Sequence, residues 1–182
     1  METILIGTLF FLPAFLGNAA AMCAGPLARL GKPFSLTFDE VISCGRVQLF
    51  GSHKRVLGGV IAVLAALAVG ENILALHVEW SLGPVVFVPE YPWHEAMGAP
   101  FLLGVGACLG DLSGSFLKRL IGVRPGKDFL VLDQVDWFLG AVGMLFLFSR
   151  LPSWDVVLWG GVVLLVARFA AEVPRRKLFC KQ

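Results

Sequence analysis

Five runs of about twenty mostly apolar residues, near 3–25, 56–78, 97–117, 130–149 and 154–173, dominate this 182-residue chain. An α-helix needs about 20 such residues to cross the hydrocarbon core of a bilayer. The runs are continuous rather than alternating, which argues against a membrane β-barrel. A soluble domain is no better. Hydrophobic residues make up 57% of the chain and charged residues 15%, whereas soluble domains are roughly a quarter charged. A chain this small has too little interior to hide the excess. Disorder needs the opposite composition. The expectation is therefore an all-α polytopic protein: one integral-membrane domain over 1–182 with five transmembrane helices and larger loops at 26–55 and 118–129.

Orientation follows from the basic residues, which favour the cytoplasmic side. The 26–55 loop carries Arg29, Lys32, Arg46, Lys54 and Arg55, and the next carries Lys118, Arg119, Arg124 and Lys127. Arg168, Arg175, Arg176, Lys177 and Lys181 cluster towards the C-terminus. Only Arg150 falls on the other side, with Glu2, Glu79, Glu90, Glu95 and Asp155. This predicts the N-terminus outside, the C-terminus in the cytoplasm, and a multi-pass protein of the cell membrane. Trp80, Trp93 and Trp154 fall at the predicted outer boundary, where amphipathic rings settle. The first run has no basic start and is interrupted by Pro13 and Asn18, so it reads as a span rather than a cleaved signal. Cys23, Cys44, Cys108 and Cys180 lie in spans or face a reducing compartment, and are expected as free thiols.

Ionisable groups within a span are costly, and each asks for a reason. Asp111, Ser115 and Lys118 are spaced i, i+4, i+7 and share one helical face. Asp133 and Asp136, at i and i+3, share a face at the start of the fourth run. A short connection between antiparallel neighbours can bring the three carboxylates to one depth. Mutual repulsion is then relieved by a hard cation such as Mg²⁺, which takes oxygen ligands. Carboxylates alone would fit a cation or proton path. Interleaved with Lys118, Arg119, Lys54, Arg55 and Ser115, they fit metal-bound phosphates better. His53, His77 and His94 are scattered without zinc-ligand spacing. No strand precedes a glycine-rich nucleotide fingerprint, and no nucleic-acid partner is expected.

These residues resemble a known family. Ser115-Phe-Leu-Lys118-Arg119 followed by Asp133-Gln-Val-Asp136 is similar to the signature of the membrane-embedded CDP-diglyceride synthases. The match is closer to their small five-span branch, the CDP-archaeol synthases and bacterial relatives. Gly110-Asp111, Asp133-Gln134-Val135-Asp136-Trp137 and Gly140-Ala141 carry it, with weaker matches at Leu12-Pro13-Ala14, Asn18-Ala19-Ala20, and Phe50-Gly51 through Lys54-Arg55 to Gly58-Gly59. The chain departs where the family has Lys-Thr-x-Arg-Gly, reading Lys54-Arg55-Val56-Leu57-Gly58.

The resemblance implies a nucleotidyltransferase of phospholipid biosynthesis that joins CTP to a lipid phosphate and releases pyrophosphate. It implies Asp111, Lys118, Asp133 and Asp136 as catalytic residues, with the three aspartates holding Mg²⁺ as cofactor. Asn18, Lys54, Arg55, Ser115 and Arg119 would bind substrate or phosphate, at a site facing the cytoplasm and fed from the inner leaflet among membrane lipids. Two other readings stay open: a carboxylate-lined cation or proton transporter, and a non-catalytic membrane scaffold derived from the enzyme.

Overall fold

The first apolar run stays helical for longer than its hydropathy suggests. In the computed structural model, which describes residues 1–42, 48–80, 93–123 and 132–179, α1 (Glu2–Ala20) passes without a break through a 3-10 turn at Ala21–Cys23 into α2 (Ala24–Leu27) and a second 3-10 turn at Ala28–Leu30. The helical stretch therefore ends five residues beyond the expected limit at 25. Gly31 stops it, at a φ of 92° that suits a residue without a Cβ.

The segment from 26 to 55, expected as a loop, carries structure of its own. Thr37 and Glu40 form a capping box at the start of α3 (Phe38–Ile42). The Thr37 N–H donates to the Glu40 carboxylate at 2.8 Å, and the Glu40 N–H donates to the Thr37 hydroxyl at 3.2 Å. These bonds hold the exposed Glu40 carboxyl below its usual pKa. Thr37 also pairs with Arg55 in an isolated antiparallel bridge. The other elements among the described residues are helices: α4 (Val56–Trp80), α5 (Trp93–Leu120), α6 (Leu132–Leu147) and α7 (Trp154–Phe179). Lys118 and Arg119, counted from sequence with the loop at 118–129 although Lys118 shares the helical face of Asp111, lie in the last turn of α5.

Two helix ends close in the same way. At α5 the Val123 N–H reaches the Lys118 carbonyl (2.9 Å) and the Gly122 N–H reaches Arg119 (3.1 Å), with Gly122 at φ 80°. At α6 the Arg150 N–H reaches Leu145 (2.8 Å) and Ser149 reaches Phe146 (3.1 Å), with Ser149 at φ 54°. That closure ends α6 at Leu147 rather than the expected 149.

Helix α1 packs against α4, α5 and α7. Gly17 of α1 lies against the Ala62 carbonyl of α4, and Gly7 against the backbone of Gly160 in α7. Small residues permit such close backbone approach. Phe11, Leu103, Trp137, Ala141 and Leu145 are buried at the centre. Leu64, Val60, Leu139, Phe146, Leu158, Val162 and Val166 face outward, a continuous apolar exterior that suits lipid rather than water.

Four stretches among the described residues are long and apolar enough to cross a membrane: Glu2–Leu30, Val56–Ile73, Gly98–Leu120 and Trp154–Ala171. Helix α6, expected as a full span over 130–149, has 16 residues, or about 24 Å at 1.5 Å per residue. This described part is short of a hydrocarbon core of about 30 Å, and the expected start at 130–131 lies outside the described residues. Trp154 is exposed. The Trp80 and Trp93 side chains, Arg46, Cys44, Arg124, Lys127 and the basic tail side chains lie outside what is described.

Candidate active site

Helices α5 and α6 run side by side, and their contact explains where the acidic residues meet. Gly106, Gly110 and Gly114 are four residues apart and form one stripe on α5. Gly106 faces the Gly140 carbonyl, Gly110 faces the Asp136 carbonyl, and Gly114 faces the Asp136 side chain. With no side chain between them, Asp136 sits against the turn of α5 that carries Asp111. Asp136 is buried, and its Oδ1 accepts a 2.7 Å bond from the Trp137 N–H. It lies close enough to Asp111, Asp133 and Lys54 to feel the charge of each.

The other two aspartates are held by lysines. The Lys54 ammonium, just ahead of α4, pairs with Asp111 Oδ2. Lys118, in the last turn of α5, pairs with Asp133 Oδ1. These side chains are partly buried, at 25% and 34% exposure for the first pair and 11% and 25% for the second. Each pair joins two elements, so the start of α4, the end of α5 and the start of α6 come together at one end of the bundle. Charges of both signs alternate there within an otherwise apolar body.

Other expected site residues separate into members and bystanders. Ser115 is fully buried between Asp111 and Lys118 on the same face of α5. Arg119 donates to the Val123 carbonyl, tying down the end of α5, and its Nε is buried without a partner. Arg55, adjacent to Lys54 in sequence, turns elsewhere, its guanidinium lying 3.9 Å from where a Cβ on Gly25 would sit. Asn18 is half-buried on α1, one residue past the Gly17–Ala62 contact. Glu71, a carboxylate on α4 that a cation path would use to continue outward, is exposed.

Sequence reasoning missed a second layer. Arg168 of α7, counted only as a membrane-edge charge, donates through Nε to the buried Gln134 side chain (3.0 Å) and through Nη2 to the Asp133 carbonyl (3.2 Å). Its guanidinium lies 6.0 Å from the Trp137 ring centroid, within cation–π range. The Trp137 indole N–H in turn donates to the Gln134 carbonyl at 2.7 Å. The first two turns of α6, which present both aspartates, are thus braced from α7. No short-range signal marks this, because 34 residues separate Arg168 from Gln134.

Three carboxylates supply the oxygen donors that a hard cation prefers. Among the described residues, however, no three His, Cys, Asp or Glu side chains are gathered at metal-binding spacing. Lys54 and Lys118 provide the neutralising charge in this arrangement.

Comparison with known proteins points to one family. A sequence model described as CarS-like, CDP-archaeol synthase, matches residues 1–174. The chain is 37% identical over 153 residues to a CDP-archaeol synthase of Methanopyrus kandleri, covering 83% of this chain and 76% of the relative. It is 29% identical over 178 residues to that of Sulfolobus acidocaldarius, covering 97% and 95%. A solved structure of an intramembrane enzyme for archaeal membrane lipids biosynthesis superposes with a TM-score of 0.65 at 25% identity, covering 93% of this chain and 94% of that one. The charged end of the bundle thus sits within a chain that belongs to the CDP-archaeol synthase family.

Proposed function

We propose that this chain is a CTP-dependent cytidylyltransferase that makes a CDP-activated lipid from a lipid phosphate and releases pyrophosphate. The observation that carries the reading is the charge-matched cluster of Lys54–Asp111 and Lys118–Asp133 around the buried Asp136, in a chain of this family.

In the reaction, a phosphate oxygen of the lipid attacks the α-phosphorus of CTP. A new P–O bond forms, the bond to the β-phosphate breaks, and pyrophosphate leaves with the electron pair. The nucleophile belongs to the substrate, so the protein needs no Ser–His or Cys–His device. Its task is positioning and charge stabilisation. Lys118 and Lys54 are ammonium groups on flexible stems, able to exchange an aspartate oxygen for a phosphate oxygen as the triphosphate enters. Ser115 offers a hydroxyl donor on the same face.

Mg²⁺ suits the site by donor chemistry: Asp111, Asp133 and Asp136 would hold it once the lysines turn to phosphate. The ion would offset charge on the triphosphate and its leaving group. We place the N-terminus outside and the C-terminus in the cytoplasm of the cell membrane. In this arrangement α6 is a short fifth crossing, and the site faces the cytoplasm within a single domain. The lipid phosphate enters from the inner leaflet, which the apolar exterior around the site would permit.

The test is direct. Purified protein given CTP, Mg²⁺ and a panel of isoprenyl-ether and acyl lipid phosphates should form a CDP-lipid and one equivalent of pyrophosphate. EDTA should abolish turnover and added Mg²⁺ should restore it. Absence of product with every lipid, together with absence of CTP binding, would refute the reading. Turnover unaffected by EDTA would remove the metal from it.

The brace on α6 gives a second expectation. Arg168→Met keeps the apolar stem but removes both hydrogen bonds and the ring contact. Groups that orient metal ligands from behind are worth about 10–100-fold. The expected result is a drop of that size in kcat/KM, with the protein still folded. Wild-type kinetics would reduce the brace to packing.

A further inference from the structure

Asp39 is a buried carboxylate in the segment ahead of α4, only 5% exposed. Its Oδ1 accepts from the N–H groups of Leu49 and Phe50, each at 2.9 Å, and its Oδ2 from Gly51 at 2.8 Å. Three successive backbone donors converging on one carboxylate form an anion cradle, with short charge-assisted bonds. Here the anion is supplied by the chain itself.

What the cradle fixes is the approach to Lys54. Gly51, at φ 98°, accepts a 3.1 Å bond from the Lys54 N–H, so the turn held by Asp39 leads directly into the lysine. On the other side, the Lys54 carbonyl accepts from the Phe38 N–H at 2.9 Å, one residue before Asp39. The Val56 N–H donates to the Leu36 carbonyl at 3.0 Å. The Phe50 ring sits between Phe38 (6.4 Å) and Phe116 of α5 (6.2 Å), docking the turn on the helix that bears Asp111. A lysine stem has four rotatable carbons and no preferred direction of its own. Its ammonium meets Asp111 because the backbone beneath it is pinned.

We infer that Asp39 is a positioning residue for the reaction, acting through Lys54 by holding the 49–54 turn against α5. The inference rests on the cytidylyltransferase reading for the meaning of Lys54, though not for the geometry. Burying a carboxylate is costly unless it is fully bonded, and an apolar side chain could fill the same space. Three of its partners are the successive N–H groups of the turn that it organises.

Asp39→Asn tests this with little change of shape. The amide can satisfy two of the donors, but its NH₂ then opposes the N–H of the third. The expected result is a fall in kcat of about 10–100-fold, the range for groups supporting first-line residues. In a Lys54→Ala background the same substitution should change kcat by less than about twofold, because residues acting through one another are not additive.

A readout apart from turnover uses a small amine-acetylating reagent with mass spectrometry on the purified protein. Lys54 should acetylate several-fold faster in Asp39→Asn, with Lys118 unchanged. Gly51→Ala, which strains the same turn at its positive φ, should reproduce the Lys54-selective change, and it decides the matter should Asp39→Asn not fold. A full additive loss in the Lys54→Ala background, or acetylation rising equally at Lys54 and Lys118, would overturn the inference. If wild-type protein makes no CDP-lipid, the proposed function fails while the acetylation contrast still judges the role of Asp39. If wild-type turns over and the contrast is absent, the function stands and the positioning role falls.

Discussion

Lys118→Ala is expected to slow CDP-lipid formation by about 10²–10³-fold, which corresponds to roughly 2.7–4 kcal/mol of lost transition-state stabilisation, the usual effect of removing one donor aimed at developing charge. Lys118 is 9% exposed and ends the helical face that begins with Asp111. It is also the direct counter-charge of Asp133. In the proposed reaction its removal would deprive the leaving group of a nearby cation and take from Asp133 the ammonium that offsets its charge. Stability should suffer less than activity. Breaking a fully buried pair costs about 3–5 kcal/mol, but the Asp133 side chain keeps 25% of its surface exposed and can recover hydration. The discriminating variant is Lys118→Arg, which preserves charge but replaces a compact ammonium with a planar fork. In so closed a position it should restore only part of the rate. Steady-state kinetics with labelled CTP read all three proteins. Wild-type kcat/KM in Lys118→Ala would remove Lys118 from the machinery, while full recovery by arginine would show that charge alone matters.

Much of this site could be read from helical spacing. Asp111, Ser115 and Lys118 fall on one face by arithmetic, as do Asp133 and Asp136. A short connection makes neighbours of the helices that carry them. Spacing cannot say which of two adjacent basic residues reaches the acidic group. Lys54 turns to Asp111 and Arg55 towards Gly25, and that choice is made by a turn whose anchor, Asp39, lies 12 residues before Gly51. One local cue was available: Thr37-x-x-Glu40 is a capping-box pattern, which marks the loop as structured. Arg168 offered no such cue. A basic residue near a membrane edge satisfies topology without further explanation, and only the fold brings it to Gln134. The length of α6 was hidden for a related reason. Hydropathy runs on through Phe148, but the chain closes at Ser149 through backbone bonds that a sliding average does not detect.

Gly110→Ala is expected to be among the most damaging methyl additions at the glycines of the helix contacts. A Cβ at Gly110 would press on the Asp136 carbonyl, its carbon only 2.9 Å away, and on the Gly140 Cα at 3.0 Å. Those atoms are helix backbone and cannot rotate aside, so α5 and α6 must part. Overpacking of this kind costs about 1–3 kcal/mol. The larger effect is on geometry. Asp111 and Lys118 ride on one helix and Asp133 and Asp136 on the other, so a shift of even an ångström across this contact separates the halves of the cluster. Misplacement on that scale costs about 10²-fold in rate. The control is Gly143→Ala, in α6 itself, where an added Cβ meets nothing within 4 Å. There, better helix propensity should leave stability unchanged or raise it by up to about 1 kcal/mol. Thermal unfolding in detergent and turnover, measured together, separate the two variants. Gly110→Ala should lose both and Gly143→Ala neither. If Gly110→Ala instead kept wild-type unfolding temperature and rate, the close backbone contact would not be what aligns the four residues. The acidic cluster would then owe its geometry to side-chain contacts such as its two lysine pairs and the Arg168 brace.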